Sequence, residues 1–386
     1  ERFNLSHEEN TTREEEFKGL EGSLRKSLEN LLLPGLAMCC VGAVKNREDE
    51  GLSAGNRTKL NNNQKENVDL PLVVELKQAK DWPELVGEKS YRESLLLNGN
   101  IPVPDGFVIT LKATREIANK GLDFNSNIWK EILVHLSNLE EKTGKILGDE
   151  INPLLITIRS SSDRPYPNLL KTFLFAGFNS RVLEGIKQRC GVKVGERIEN
   201  IHKRSFGVEI EDILEQLRFA ILEVINSGEK PGVRSFRTAE GEKGPAKVAV
   251  LIQIQIMTVL PTNSLIGFCQ AKTDPTGKIE IIEAEFLPSA SGDELMSPLD
   301  RIPYSLDVLL KSYPSTYEKL KLYTIWATRL LQSDSCDIEF AQEENRLFIV
   351  QAQPESIKED SQPLKRVYYQ FVDSSTRQLP LIEGVP

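Results

Sequence analysis

The stretch LLITIRSSSDRPYPNLLKTFLFAGFN, residues 154–179, contains the pattern that decides the fold. It begins as an apolar strand, reaches Arg159, and continues through three serines and two prolines before it becomes apolar again. An arginine on the rigid base of a buried strand presents a planar fork of donors, which suits the oxygens of a phosphate group. The pattern predicts Arg159 as a phosphate ligand, and an arginine that closes an ion pair at a strand end remains the alternative.

The composition is that of a globular chain. Its 386 residues are 39% hydrophobic and 27% charged, enough for two ordinary domains or one large domain around a cleft. The formal net charge is -9 and the sequence contains no lysine-rich block. Because nucleic-acid binding needs a basic surface, we expect no nucleic acid as partner.

The cysteine pattern indicates a reducing compartment, either the cytoplasm or the interior of an organelle. The spacing of the cysteines fits neither a metal site nor a disulfide framework, so we expect free thiols. The five cysteines are Cys39, Cys40, Cys190, Cys269 and Cys336.

One apolar stretch, residues 31–44, requires a separate interpretation. It is too short to span a bilayer and contains Pro34 and Gly35, so we expect no membrane span. A packed hairpin and the remnant of a targeting segment both remain open.

The chain divides into regions of different character. Residues 1–72 are rich in Glu, Asn and Arg, with one amphipathic helix candidate at 17–33, and predict a polar, partly disordered N-terminal extension. Beyond it, strand and helix patterns alternate up to about residue 353. A polar tail follows.

The second half of the chain predicts a mainly antiparallel sheet. Residues 209–226 have apolar side chains three and four apart, which is typical of a helix. Apolar segments at 247–257, 264–272 and 278–287 predict strands, and DPTG before the last of them predicts a turn.

Five segments, in order, resemble the ATP-grasp domain of the pyruvate phosphate dikinase and phosphoenolpyruvate synthase family. LVGEKSYRESLLLNGNIPVPDGFVIT at 85–110 resembles its lysine turn, helix and "GLPVPPGFVIT" strand, and IRSSSDRPYPNLLKTFLFAGFN at 158–179 resembles its arginine strand and glycine-rich loop. AVLIQIQIM at 249–257 is similar to the strand beside adenine. IIEAEFLPSASGDELM at 281–296 and CDIEFAQEENRLFIVQAQP at 336–354 resemble the segments that follow.

This resemblance implies a fold class and a division of the chain. The fold would be α+β, a two-part ATP-grasp clamp whose cleft lies between a first subdomain at 73–245 and a second at 246–356. Residues 357–386 would be a tail or a linker to a phosphohistidine domain, because LIEGVP is similar to the sequence that leads into that domain.

The resemblance also implies site residues, with ATP and Mg²⁺ as cofactors. Lys89 falls on the ATP-phosphate lysine and Arg159 on the nucleotide-contacting arginine, and both are predicted catalytic residues. The remaining predicted nucleotide ligands are Thr172, Gln253, Gln255, Lys272 and Glu285. The predicted metal ligands are Asp337, Glu339 and Gln351.

Residue types support the metal prediction. Mg²⁺ prefers hard oxygen ligands and usually bridges carboxylates to substrate phosphates. Asp337 and Glu339 point to one face because strand side chains alternate. Gln351 reaches that face only if the hairpin turn has an odd number of loop residues. A solvated strand face is the alternative for each acid.

In the resembled family, a histidine on a separate swivelling domain attacks the β-phosphate of ATP. The three histidines here are His7, His135 and His202, and none lies in the family's phosphohistidine motif. We interpret His135 and His202 as structural. The expected partner is therefore a phosphohistidine domain, in the same chain or in another.

Several positions depart from the resembled pattern. The "GGKG" turn is Gly87-Glu88-Lys89-Ser90, which places a carboxylate beside the lysine and removes two glycines. The loop "PGMMDT" is PNLLKT at 167–172. The arginines of "FTR" and "QTR" are Lys272 and Gln353, which removes cations that stabilise a transition state.

Two functions therefore remain open. One is the Mg-ATP-binding domain of a dikinase-type phosphotransferase, in which Arg164 or Lys171 could replace a lost charge. The alternative is a degenerate, catalytically inactive ATP-grasp domain that acts as a regulatory or structural subunit.

Overall fold

In the computed structural model of the chain, the described residues are 70–166, 169–274, 276–296 and 302–354. The predictions made for residues 1–69, including the helix at 17–33, and for the tail from residue 355 onward lie outside them. Cys39, Cys40, His7 and the loop residues 167 and 168 also lie outside. Within the described residues, Cys190, Cys269 and Cys336 are free thiols.

The strands form two five-stranded sheets and one two-stranded sheet. Along the chain, helices alternate with groups of strands. In chain order, the strands are β1 (Val73–Glu75), β2 (Gly106–Ile109), β3 (Ile146–Leu147), β4 (Pro153–Leu154), β5 (Ile156–Ser162), β6 (Thr172–Ala176), β7 (Val248–Ile254), β8 (Leu265–Thr273), β9 (Ile279–Pro288), β10 (Tyr304–Ser305), β11 (Ser335–Glu343) and β12 (Arg346–Pro354). The α-helices are α1 (Pro83–Asn98), α2 (Leu111–Lys120), α3 (Asn127–Thr143), α4 (Ser180–Cys190), α5 (Val192–Phe206), α6 (Ile213–Ser227), α7 (Pro231–Ala239), α8 (Gly292–Met296), α9 (Leu306–Ser312) and α10 (Pro314–Leu330), and a 3-10 helix spans Leu76–Asp81.

Both large sheets are antiparallel throughout. The first has the strand order β1-β2-β7-β5-β6, and the second has the order β10-β9-β8-β11-β12. The predicted α+β class, with an antiparallel sheet in the second half, is confirmed. Strand β7 lies beyond the predicted subdomain boundary at residue 245 and yet pairs within the first sheet, so sheet membership alone would place a boundary after Ile254. The predicted subdomain bounds stay a prediction.

Local sequence explains where several helices begin. The helix predicted at 209–226 is α6, and it begins at Ile213 because the Asp212 carboxylate accepts a hydrogen bond from the Glu215 amide at 2.9 Å. Ser126 caps α3 in the same way, accepting from the Trp129 amide at 3.1 Å. The three predicted strands of the second half are present as β7, β8 and β9.

Helix α1 joins the two sheets. It packs against β5 of the first sheet and against β12 of the second. One apolar core contains Val86 and Leu96 of this helix together with Leu251 of β7 and Phe340 of β11. The helix therefore holds a fixed position between the sheets, and residues on its first turns lie near both. No helix within the described ranges is long and apolar enough to cross a membrane.

Candidate functional site

Lys89 lies at a kink of α1 that is fastened to β5. Gly87 has a φ of 73°, and a Cβ at this position would lie 2.3 Å from the Ser161 carbonyl oxygen. The Ser161 hydroxyl donates to the Val86 carbonyl at 2.7 Å and accepts from the Ser90 amide at 3.0 Å. Only glycine allows this approach of the two backbones. The contact sets the position of Lys89 relative to Arg159, two residues before Ser161.

Arg159 reaches from the first sheet to the β11–β12 hairpin of the second. Its Nη1 donates to the Val350 carbonyl at 3.1 Å. Its Nη2 lies 3.5 Å from the Gln351 Oε1 and 3.6 Å from the Glu339 Oε2. Thr172 is directly opposite Arg159 in the β5–β6 ladder and so shares its face of the sheet. The structure thus brings Lys89, Arg159 and the predicted metal hairpin together.

Gln351 lies opposite Glu339, but not for the predicted reason. The hairpin turn has two residues, because Glu343 pairs with Arg346, and the prediction of an odd-numbered loop was wrong. A register shift beside Glu339 leaves Val350 as an extra residue, and this β-bulge brings Gln351 onto the face of Glu339. The bulge also supplies the Val350 carbonyl that Arg159 contacts.

These residues line a cavity of about 760 Å³ between the sheets. Of the predicted site residues, seven lie on its wall: Lys89, Arg159, Thr172, Gln253, Gln255, Glu339 and Gln351. The other three are Lys272, Glu285 and Asp337, which do not line it.

The three predicted residues outside the cavity wall lie at different places in the second sheet. Glu285 of β9 shares a row with Glu339, but Phe268 of β8 lies between them, so the two carboxylates are two strand spacings apart, about 10 Å. Asp337 accepts a hydrogen bond from the Gln270 amide at 3.2 Å. Lys272 is exposed near the end of β8.

The two glutamines of the β7 segment use much of their hydrogen-bonding capacity inside the protein. Gln253 is 2% exposed, and its Nε2 donates to Glu93 at 2.7 Å and to the Pro104 carbonyl at 3.0 Å. The Gln255 Oε1 accepts from the Thr157 hydroxyl at 2.6 Å. Both side chains therefore shape the cavity wall, and their amides are held in one orientation.

Glu93 is a charged residue of this site that the sequence reasoning missed. It is fully buried, its Oε2 accepts from Gln253, and its Oε1 has no hydrogen-bond partner. Burial raises the pKa of the Glu93 carboxyl from 4.5 to about 7, against the opposing effect of Arg159 and Lys89. Its spacing of four residues after Lys89 on a helix was the available signal.

The pKa of the Lys89 amine is also shifted by its position in the site. Burial, followed by the positive charge of Arg159, lowers the pKa of its amine from 10.5 to about 8, while Glu93 and Glu339 act in the opposite direction. No described acidic side chain forms an ion pair with it. A bound anion would supply the ion-pair partner that the described residues do not.

The carboxylate introduced beside Lys89 is neutralised. Glu88 forms an ion pair with Arg92 at 2.7 Å, one turn along α1, and both side chains line the cavity. Of the two predicted replacement cations, Arg164 lines the cavity and pairs with Glu240 and Glu242. The other, Lys171, pairs with Glu223 and is not part of the wall.

A magnesium ion fits this wall only together with a phosphate-bearing ligand. No group of three or more His, Cys, Asp or Glu side chains that could hold a metal is present in the described part of the chain. Glu339 and Gln351 provide two adjacent oxygen ligands on the cavity wall. Mg²⁺ is often held by one or two protein oxygens plus substrate phosphates, so this pair is compatible with it.

The two described histidines do not line the cavity. His135 Nδ1 lies 2.9 Å from the Glu75 carboxylate, and its ring stacks on Phe107. His202 is buried, with Nδ1 3.1 Å from the Phe175 carbonyl. These contacts agree with a structural role for both rings.

The chain is similar in sequence to pyruvate, phosphate dikinases. It is 24% identical over 327 residues to chloroplastic pyruvate, phosphate dikinase 1 of Zea mays, across 70% of this chain and 34% of the relative. It is 25% identical over 327 residues to chloroplastic pyruvate, phosphate dikinase 1 of Arabidopsis thaliana, across 70% of this chain and 33% of the relative. For the dikinase of Rickettsia conorii the identity is 24% over 325 residues, across 69% and 37%.

These similarities confirm the predicted resemblance to the pyruvate phosphate dikinase family. The chain spans about a third of the length of the curated relatives it matches. No family model matches the sequence.

Proposed function

We propose that the cavity binds Mg-ATP and that this chain is the nucleotide-binding part of a dikinase-type phosphotransferase. The observation that carries the proposal is the charge of the wall. Four cations line the cavity against two carboxylates, Glu88 and Glu339, in a chain whose net charge is -9. The cations are Lys89, Arg92, Arg159 and Arg164. A cavity that concentrates cations in an acidic protein is suited to a polyanion.

The seven predicted residues that line the cavity have roles in this proposal that follow from their positions. Lys89 provides a mobile point charge, and Arg159 provides a fork of donors held by the hairpin. Glu339 and Gln351 would hold the magnesium ion, which neutralises phosphate charge. Thr172 and the two glutamines of the β7 segment also line the cavity and contribute polar groups to its wall.

The proposed acceptor of the phosphate is a histidine on another domain or another chain. No described histidine lines the cavity, and His135 and His202 are engaged in internal contacts. Phosphoryl transfer depends mainly on positioning and charge stabilisation, so a cavity of this kind can activate ATP for an acceptor that arrives from outside.

Calorimetry with Mg-ATP tests the proposal. Lys89→Ala and Arg159→Ala should each weaken binding by roughly 10-fold or more, since a charge-assisted contact contributes about 1.5 to 3 kcal/mol. Lys77→Ala and Arg115→Ala are the controls, because both side chains are exposed and outside the cavity. If the unmutated protein fails to bind ATP with and without Mg²⁺, the proposal is wrong.

A second candidate function is ATP binding without transfer, as a regulatory or structural subunit. The observation that favours it is Gln353, a neutral side chain on the wall at the position where the resembled family has an arginine. Lys272, at the other lost arginine, is exposed and outside the cavity. Binding alone cannot separate the two functions, whereas a transfer assay can.

A further inference from the structure

The three arginines of the cavity wall differ in how many groups of the protein already bind their guanidinium groups. Arg159 is held by three groups of the β11–β12 hairpin. Arg164 is held by the carboxylates of Glu240 and Glu242. Among the residues that the structure describes, Arg92 has one ion-pair partner, Glu88, on its own helix. Among these three arginines, Arg92 is therefore the one that a ligand could recruit by displacing a single side chain.

The Arg92–Glu88 pair is also weakly held. The two side chains are 22% and 41% exposed, and the pair has the i,i+4 spacing of a surface helix pair. Such pairs contribute little to stability, because water screens them and two long side chains lose rotamer freedom. The pair is joined by a single contact, from the Arg92 Nη2 to the Glu88 Oε2 at 2.7 Å. A phosphate group can accept two parallel hydrogen bonds from one guanidinium, so the exchange replaces one charge-assisted contact with two.

The position of Arg92 allows it to act together with Lys89. It follows Lys89 by three residues on α1, so both side chains lie on neighbouring positions of one helix face, and both line the cavity. The kink at Gly87 and the contact with Ser161 hold this part of the helix against β5. A polyphosphate that reaches Lys89 would lie within range of the longer arginine side chain.

We propose that Arg92 is a second phosphate-binding cation of α1 and that Glu88 occupies it only while the cavity contains no polyphosphate. The proposal rests on the proposed function and adds a residue to it. Lys89 acts as the point charge, and Arg92 acts as the bidentate donor to a neighbouring phosphate. Glu88 is then a replaceable counter-ion.

Calorimetry on the whole chain tests this inference, with Mg-ATP, inorganic tripolyphosphate and adenosine as probes. Arg92→Gln should weaken the binding of Mg-ATP and of tripolyphosphate at least about 10-fold, which is about 1.4 kcal/mol of binding free energy. The affinity for adenosine should not change. Glu88→Gln should bind both phosphates as tightly as the unmutated protein or more tightly. Arg115→Gln, an exposed arginine on α2, is the matched control.

The outcomes separate the inference from the proposed function. ATP binding by the unmutated protein and by Arg92→Gln within about twofold of each other overturns the inference and leaves the proposed function standing. If Arg92→Gln loses as much affinity for adenosine as for the phosphates, Arg92 has a structural role and the inference is overturned. The same holds if Glu88→Gln loses as much phosphate affinity as Arg92→Gln. Failure of the unmutated protein to bind either phosphate overturns both.

Thermal melting identifies a variant that does not fold. Arg92→Lys is the second variant for that case, because it keeps the charge and loses the fork. It should bind Mg-ATP more weakly than the unmutated protein while its melting temperature stays within a few degrees. Binding equal to that of the unmutated protein would exclude the bidentate role.

Discussion

Glu93 is a buried carboxyl whose pKa is set by its surroundings in the candidate site. Its carboxyl is completely enclosed, with one oxygen bonded to Gln253 and the other without a partner. A buried carboxylate that lacks a full set of donors is costly to ionise, and the positive charges of Lys89 and Arg159 offset only part of that cost. The site therefore keeps a group that titrates near neutral pH beside its lysine.

The stability of the protein should depend on this residue and on pH. The folded state raises the Glu93 pKa from 4.5 to about 7, so the fold holds the proton to a higher pH than the unfolded chain does. Ionisation of the buried Glu93 carboxyl therefore destabilises the folded state. This destabilisation is absent below about pH 4.5, grows as the pH rises, and reaches its full size above about pH 7. Glu93→Gln should therefore raise the free energy of unfolding at about pH 8, by on the order of 1 to 3 kcal/mol, and by less at about pH 5.5.

Urea unfolding at both pH values measures the effect. Glu84→Gln, an exposed glutamate on the same helix, should show no such pH dependence. A Glu93→Gln variant that is less stable than the unmutated protein at the higher pH would contradict the prediction, because it would mean that attraction to Lys89 and Arg159 exceeds the cost of burial.

At the scale of the element, the junction of α1 with β5 positions the cavity wall. Gly87 interrupts the helix with a positive φ, and Ser161 bonds to the backbone on both sides of it. The side chain that follows the kink, Lys89, then faces the hairpin of the second sheet together with Arg159. The β-bulge at Val350 makes the complementary adjustment on the hairpin, since it turns Gln351 toward Glu339 and exposes a carbonyl to Arg159.

Gly87→Ala should disrupt this junction. The new Cβ would lie 2.3 Å from the Ser161 carbonyl oxygen and would also strain the positive φ, so we expect a loss of about 2 kcal/mol or more of stability. The ATP affinity should fall as well, because Lys89 moves. Gly121→Ala is the matched control, since Gly121 has a φ of 79° with nothing within 4 Å of an added Cβ.

Denaturant unfolding and ATP titration of the two variants test the role of the junction. Gly121→Ala should lose only the cost of the backbone conformation, about 1 to 3 kcal/mol, with unchanged ATP affinity. Equal effects of the two substitutions on ATP affinity would show that the approach of α1 to β5 does not position the site.

At the scale of the whole molecule, the sheets and the helix between them form a cleft whose wall has more cations than carboxylates. The net charge is -9, and the cavity wall has four cations against two carboxylates. Under the proposed function, these cations would attract the phosphates of a nucleotide. No described histidine lines the cavity, which is why the proposed function assigns the phosphate acceptor to another domain or chain.

The transfer reaction provides the prediction at this scale. With β-labelled ATP, the chain alone should gain no phosphohistidine, and label should appear on an added histidine-bearing domain of a dikinase. Glu339→Gln should abolish that label because it weakens metal coordination, whereas Glu318→Gln, at an exposed position of α10, should not. Acid-labile label on His135 or His202 would refute the structural interpretation of these residues. No label under either condition, with ATP still bound, would favour the regulatory alternative.

The sequence by itself determined the elements and the residue types of this protein. Periodicity located α6 and the strands β7, β8 and β9, because the spacing of apolar residues directly reflects which face of an element is buried. The motif at Arg159 and the ordered resemblance identified Lys89, Arg159 and the β11–β12 hairpin, which the fold brings together.

Only the tertiary structure decided what depends on contacts between distant segments. The bulge at Val350 is invisible to a count of loop residues, since the inserted residue lies inside a strand and not in the turn. Lys272 has the right charge, but its place near the end of β8 takes it out of the cavity. The burial of Glu93 follows from the packing of α1 between two sheets, because segments distant in the sequence enclose its carboxyl.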